Sequence, residues 1–223
     1  MTEIKTIRVL MPYKLGSVNC YLINNNSNYV LIDSGSSNKR IELEQELENA
    51  GCKSGDLKLI VLTHGDFDHI GNAAYLREKY GCPIAMHQDD LEMAEHGNMF
   101  ANRKQPNILI RTLIPMLSGF GKKEMFKPDI FIADGHDLSA FDFDSTVLSI
   151  PGHSLGSIGI LTANGDLFCG DLFENLKKPS LNSIMDDLVA ANASVEELKR
   201  YEIDTVYPGH GDPFLMEQFL SNH

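Results

Sequence analysis

Leu59-Ile60-Val61-Leu62-Thr63-His64-Gly65-Asp66-Phe67-Asp68-His69-Ile70-Gly71 is the stretch on which the reading of this chain turns. A continuous apolar run of this length reads as a strand buried on both faces, as in a sheet covered by other layers. It delivers the chain directly to four metal-competent side chains, His64, Asp66, Asp68 and His69, within six residues. Imidazole and carboxylate are the natural ligands of a divalent first-row metal.

Three further short segments have the same character. Pro151-Gly152-His153-Ser154, Cys169-Gly170-Asp171 and Pro208-Gly209-His210-Gly211 each follow a strand-like run. Each offers one ligand-type residue beside a glycine, which lets backbones approach closely. Loops gathered at one edge of a sheet sandwich can converge on a common site. His87, His96, His136 and His223 lack such companions and read as surface or hydrogen-bonded histidines.

The rest of the chain alternates between strand and helix patterns. Strands are predicted at Thr6–Leu10, Val18–Ile23, Tyr29–Ile32, Leu57–Leu62, Pro83–Met86, Ile130–Ala133, Thr146–Ile150, Ser157–Thr162, Leu167–Cys169 and Thr205–Tyr207. Helices are predicted at Asn38–Ala50, Asn72–Tyr80, Gln88–His96, Ser183–Tyr201 and Pro213–Leu220, with Gly51 and Gly81 as stops and Ser194-Val195-Glu196-Glu197 as a restart or cap. Strands precede helices in each half, which predicts a layered α/β arrangement and one domain over residues 1–223.

Residues 98–127 fit that scheme poorly. They combine Ile108, Leu109, Leu113, Met116 and Phe120 with Arg103, Lys104, Arg111, Lys122, Lys123 and Lys127, against one acid, Glu124. An apolar, basic segment inside an acidic protein reads as a helical hairpin on the core, a lid insertion over the active site, or a dimer contact.

The formal net charge of −12 disfavours nucleic acid and anionic membranes as partners. No run approaches the roughly 18 apolar residues of a membrane span. The four widely spaced cysteines and the polar start of the chain predict free, buried thiols in a cytoplasmic protein.

The order Thr-His-x-His-x-Asp-His, then Gly-His, Asp and Gly-His resembles the metallo-β-lactamase superfamily of hydrolases, with Asp66 standing where a histidine is usual. Asn19-Cys20-Tyr21-Leu22-Ile23 and Leu31-Ile32-Asp33-Ser34-Gly35 resemble the family's early strands and its Asp-x-Gly turn. The resemblance spans about residues 17–212 and implies a four-layer αββα sandwich holding two divalent metal ions. It implies His64 and His153 on the first metal, Asp68, His69 and His210 on the second, and Asp171 bridging them. It also implies that Asp33 steadies the ligand loop.

Asp66 is expected as a ligand of the first metal despite its shorter reach. A third carboxylate makes the site one unit less positive than a histidine would, which favours harder metals. The resemblance implies zinc first, and Asp66 makes iron or manganese the alternatives. The flavodiiron oxygen reductases of the superfamily are similar in placing a carboxylate here.

The expected function is metal-dependent hydrolysis of a small ester, thioester or lactone by a metal-bound hydroxide, with Asp68 orienting the nucleophile or passing a proton to the leaving group. The alternatives are a non-haem iron oxidoreductase and a non-catalytic metal-binding protein of the same fold. A small-molecule substrate and a monomer or homodimer complete the expectation.

Overall fold

The computed structural model describes residues 2–11, 16–104 and 119–221. Residues 105–118, the centre of the expected lid, lie outside the described residues.

The chain runs β1 (Glu3–Leu10), β2 (Ser17–Asn25), β3 (Asn28–Ile32), α1 (Arg40–Asn49), β4 (Leu57–Val61), α2 (Phe67–Ile70), α3 (Ala73–Tyr80), β5 (Ile84–Met86), α4 (Leu91–His96) and β6 (Ile130–Phe131). It continues through β7 (Ser145–Ser149), β8 (Ile158–Thr162), β9 (Asp166–Asn175), β10 (Ser180–Leu181), α5 (Leu188–Leu198), β11 (Thr205–Gly211), β12 (Phe214–Leu215) and α6 (Met216–Leu220). One sheet has the order β1-β2-β3-β4-β5-β6, antiparallel through β3 and parallel beyond it. The other has the order β12-β11-β9-β8-β7, with β10 paired to β9 and β11 parallel to β9.

The strand period of two explains the layers. On β2, Val18, Cys20 and Leu22 face outward to a core shared with Leu43 and Leu47 of α1 and Leu76 of α3. Tyr21 and Ile23 face inward and meet Val147, Ile160 and Phe168 of the second sheet. The outer face of the second sheet packs Leu167 and Cys169 against Ala191 and Val195 of α5 and Phe219 of α6. Helices thus cover both outer faces, giving the expected αββα sandwich.

β4 serves two cores through an irregularity. Tyr29 pairs with Leu57 but Val30 pairs with Leu59, so Lys58 is one residue extra. Leu57 therefore shares a face with Tyr29, while Leu59 and Val61 enter the inter-sheet core. Burying each such aliphatic side chain contributes about 1.5–3 kcal/mol.

Some local expectations are corrected. The spacing of Ile41, Leu43, Leu47 and Ala50 suggests the helix, yet Ile41 is 71 % exposed, and Leu43 and Leu47 are its buried residues. Gly81 ends α3 as expected, at φ 73, with its amide donating to the Arg77 carbonyl. The helix expected at Ser183–Tyr201 begins only at Leu188, where the Asp187 carboxylate accepts from the amides of Val189 and Ala190. Ser194 lies inside it, donating to the Pro151 carbonyl, and caps nothing. Residues 182–187 stay out of the helix, in an irregular run whose groups serve the site described next.

All four cysteines are free and buried. Among the described residues no helix is long and apolar enough to cross a membrane.

Candidate metal centre

The site forms where both sheets end. Thr63, His64 and Asp66 leave β4, α2 presents Asp68 and His69, and the loop after β7 carries His153. Asp171 and His210 were expected just after strands, but they lie within β9 and β11. The ladder between those strands slips at this point: Pro208 pairs with Gly170, and His210 with Glu174. The slack on β9 lets Asp171 leave the ladder and face His210, as bulges commonly do beside active sites. Gly170 makes the close approach feasible: it sits at φ 49, and a Cβ there would lie 2.6 Å from Thr63 Oγ1.

Three overlapping groups of ligand atoms result. His64, Asp66 and His153 form one, Asp68, His69 and His210 form another, and His64, His69 and Asp171 form a third that joins them. Asp171 lies between them: Oδ1 is 3.4 Å from His69 Nε2, while Oδ2 is 3.2 Å from His210 Nε2 and 3.8 Å from His153 Nε2. Asp66 Oδ2 is 2.8 Å from His153 Nε2 and 3.6 Å from His64 Nε2. All seven residues expected as ligands therefore converge, Asp66 included, despite its short side chain.

The four imidazoles are hydrogen-bonded in the same sense, although neighbouring rings are tilted 48–83° to one another. His69 Nδ1 donates to Asp33 Oδ2 at 2.8 Å, His153 Nδ1 to the Ile184 carbonyl at 2.7 Å, and His210 Nδ1 to the Ser17 carbonyl at 2.7 Å. Thr63 Oγ1 donates its own proton to Asp33 Oδ2 and so accepts from His64 Nδ1 at 3.0 Å. Every Nδ1 is thus anchored outward and every Nε2 faces the cluster, the arrangement that fixes tautomer and ring orientation in metal-ligating histidines. His64 Nε2, His69 Nε2 and Asp171 Oδ1 are buried with no hydrogen-bond partner. Leaving such groups unsatisfied costs about 1–3 kcal/mol each, and a pair of divalent ions is the occupant this donor set fits.

The electrostatics agree. Burial and the neighbouring His69 push the His64 imidazole down. Burial also opposes the charge on His69, yet Asp171, Asp33 and Asp68 together raise it to about 10. Likewise Asp171 overrides burial to raise His210 to about 9. Against their own burial, Asp66 and Asp171 are held well below the usual carboxylate range, by Arg103 and by His210 and His69 respectively. Protons thus occupy the cation positions here, and metal binding would displace them.

Several supporting residues carry no signal in the sequence. Asp90, at the start of α4, is buried and accepts from the Gly65 amide, Ser154 Oγ and the Gly156 amide at 2.7–2.9 Å, tying the His64 and His153 loops together. Asn19 and Tyr21 of β2 both donate to the Pro208 carbonyl, steadying the His210 loop. Arg103 belongs to the segment expected as a lid, and its guanidinium reaches Asp66 Oδ1 at 2.5 Å and Asp186 Oδ2 at 2.9 Å. Separation in sequence hides all four. His87 caps a turn through Asp89 and His96 is exposed near Glu92; neither approaches the cluster.

The chain is similar to several known proteins. A curated relative, the probable metallo-hydrolase MJ0888 of Methanocaldococcus jannaschii, is 28% identical over 88% of each chain. The hydroxyacylglutathione hydrolase GloC of Haemophilus influenzae is 28% identical over 73% of this chain and 70% of its own. The crystal structure of TTHA1623 in a di-iron-bound form is 26% identical, covers 91% of both chains and superposes with a TM-score of 0.69. The sequence profile of the metallo-beta-lactamase superfamily matches residues 13–210. With that match spanning most of its length, the chain belongs to the metallo-beta-lactamase superfamily.

Proposed function

We propose that this chain is a two-metal hydrolase of a small ester, thioester or lactone. The observation that carries the reading is the pair of ligand groups joined by Asp171, with three buried atoms of the set left unpartnered. His64, Asp66 and His153 would hold the first metal, Asp68, His69 and His210 the second, and Asp171 both. Bound divalent ions would lower the pKa of a water and polarise the oxygen of a scissile bond.

The chain's own residues supply the remainder. Asp68 Oδ2 lies 3.6 Å from His210 Nε2 and 4.0 Å from His69 Nε2, and this closeness to the cluster supports Asp68 as the group that would take a proton from the attacking water and return it to the leaving group. A cleft of about 210 Å³ is lined by Lys104, Pro151, Leu155, Asp186 and Ala190 and by Gly152 and Ser154, the sequence neighbours of His153. Leu155 is 53 % exposed, and Ile184, whose carbonyl holds His153, is 72 % exposed. Apolar side chains beside the site suit an acyl group, and Lys104 suits a carboxylate on it. A hydroxyacylglutathione hydrolase among the relatives argues in the same direction. The reading takes residues 1–223 as one domain, and the four free thiols support a reducing, cytoplasmic setting.

Zinc is the proposed metal. Iron is the second choice, favoured by the Asp66 carboxylate, and would bring oxygen chemistry into question. Protein purified without chelator should carry two metal equivalents by mass spectrometry and turn over members of an ester, thioester and lactone panel. His69→Ala and His210→Ala should abolish that turnover. Full activity in either variant, or one metal or fewer in the wild type without turnover, would sink the assignment.

A further inference from the structure

Asp66 raises a physical difficulty. It adds a third anion to the site, and a carboxylate with two free oxygens can rotate, chelate with both, or hold the His153 proton that a metal must displace. The structure divides its oxygens instead. Oδ1 meets the Arg103 guanidinium at 2.5 Å, while Oδ2 alone faces His153 Nε2 at 2.8 Å and His64 Nε2 at 3.6 Å. The Arg103 side chain is only 10 % exposed and also meets Asp186 Oδ2 at 2.9 Å.

We propose that Arg103 is a positioning residue for the first metal, holding Asp66 as a single-oxygen ligand by bridging it to Asp186. The proposal rests on the two-metal reading above and adds a residue from outside its ligand set. The guanidinium suits this task, because it hydrogen-bonds one carboxylate, Asp66, while its charge pairs with a second, Asp186. A cation so close to a metal would ordinarily repel it. Here its charge is shared with Asp186, so the repulsion is largely offset and the orientation of Asp66 decides the outcome. The irregular run before α5 has a purpose in this light, since it brings Asp186 to Arg103 and the Ile184 carbonyl to His153. The near end of the basic segment thereby serves the metal site directly.

The test is titration of metal-free protein with cobalt(II), following its visible absorption. Arg103→Ala should weaken one of two cobalt ions about 10–100-fold, the usual effect of losing a partner that orients a ligand. It should alter that ion's absorption band and leave the other ion unchanged. Arg103→Lys should restore only part of the loss, since a point charge cannot bridge both carboxylates. In an Asp66→His background, where no carboxylate needs dividing, Arg103→Ala should change affinity less than about threefold. Asp186→Asn is the milder variant should Arg103→Ala fail to fold, and a smaller weakening of the same ion is expected. Wild-type affinity for both ions in Arg103→Ala would overturn the proposal, as would an equal loss in the Asp66→His background. Wild-type protein that binds two cobalt ions but hydrolyses no ester would sink the hydrolase reading and leave the Arg103 assignment standing. Fewer than two ions in the wild type would overturn both.

Discussion

Asp33→Asn exchanges one oxygen for an amide nitrogen at a position that touches no proposed metal. Asp33 is 2 % exposed and accepts three hydrogen bonds: Oδ1 from the Thr63 amide at 2.9 Å, and Oδ2 from Thr63 Oγ1 and His69 Nδ1 at 2.8 Å each. An asparagine has one acceptor to offer on one side only. With its oxygen toward the Thr63 amide, the amide nitrogen faces His69 and drives the ring to the tautomer carrying its proton on Nε2, which cannot bind a metal there. With its oxygen toward His69, the amide nitrogen confronts the Thr63 N–H, and a buried donor goes unpaired. The left-handed backbone at Asp33, φ 60, is tolerated by asparagine, so strain does not confuse the result.

Losing two hydrogen bonds to a buried charged acceptor, at about 1.5–3 kcal/mol each, predicts a destabilisation of about 3–6 kcal/mol. Second-site metal affinity should fall about 10–100-fold. The effect on the metal-free protein depends on pH. The folded pKa of His69 is raised to about 10 from its ordinary 6.5, with Asp33 among the causes. The stability this proton confers is full below about 6.5 and is lost as pH rises through about 10. The difference between wild type and variant should therefore be larger at pH 7 than at pH 10.5. Urea denaturation at both values, with metal titration at pH 7, measures all three quantities. An unfolding free energy within about 0.5 kcal/mol of wild type, together with unchanged metal affinity, would refute the account of how His69 is held.

Two other expectations follow from the same geometry. Gly209→Ala would drive a Cβ into Asp171 Oδ1 and to 2.8 Å from His69 Cε1; melting should show a loss of about 1–3 kcal/mol, and metal analysis fewer than two equivalents. The metal-free protein should lose stability between pH 7 and pH 10, as His210 (about 9) and His69 (about 10) release protons, by up to about 1.4 kcal/mol per pH unit for each proton lost. A metal-loaded sample has already lost those protons, so its melting temperature should stay level across the range; a parallel decline in both samples would contradict this.

The sandwich and the ligand types were legible in the sequence because both depend on local pattern. Leu59 to Leu62 running into His64 announces a buried strand that ends at a site, and the unbroken apolar run Cys20-Tyr21-Leu22-Ile23 on β2 fits a sheet covered on both faces. His153, Asp171 and His210 sit beside glycines, which marked them although 57 residues separate the last from the first. What these residues lean on was not legible. Asp90, Asn19 and Arg103 stand among many polar residues of the same kind, and only folding brings them to loops far away in the chain. The slip between β9 and β11 was equally hidden, since the pairing of distant strands sets it. Ser183–Asp187 reads as helix from its composition, yet the buried Arg103 and His153 claim Asp186 and the Ile184 carbonyl, and the helix waits until Asp187 caps it. Composition and periodicity therefore determined the layers and the ligand chemistry of this protein. The orientation of each imidazole, and the division of the two oxygens of Asp66, were decided by contacts between residues far apart in sequence, because a hydrogen bond's direction exists only once both partners have been brought into place.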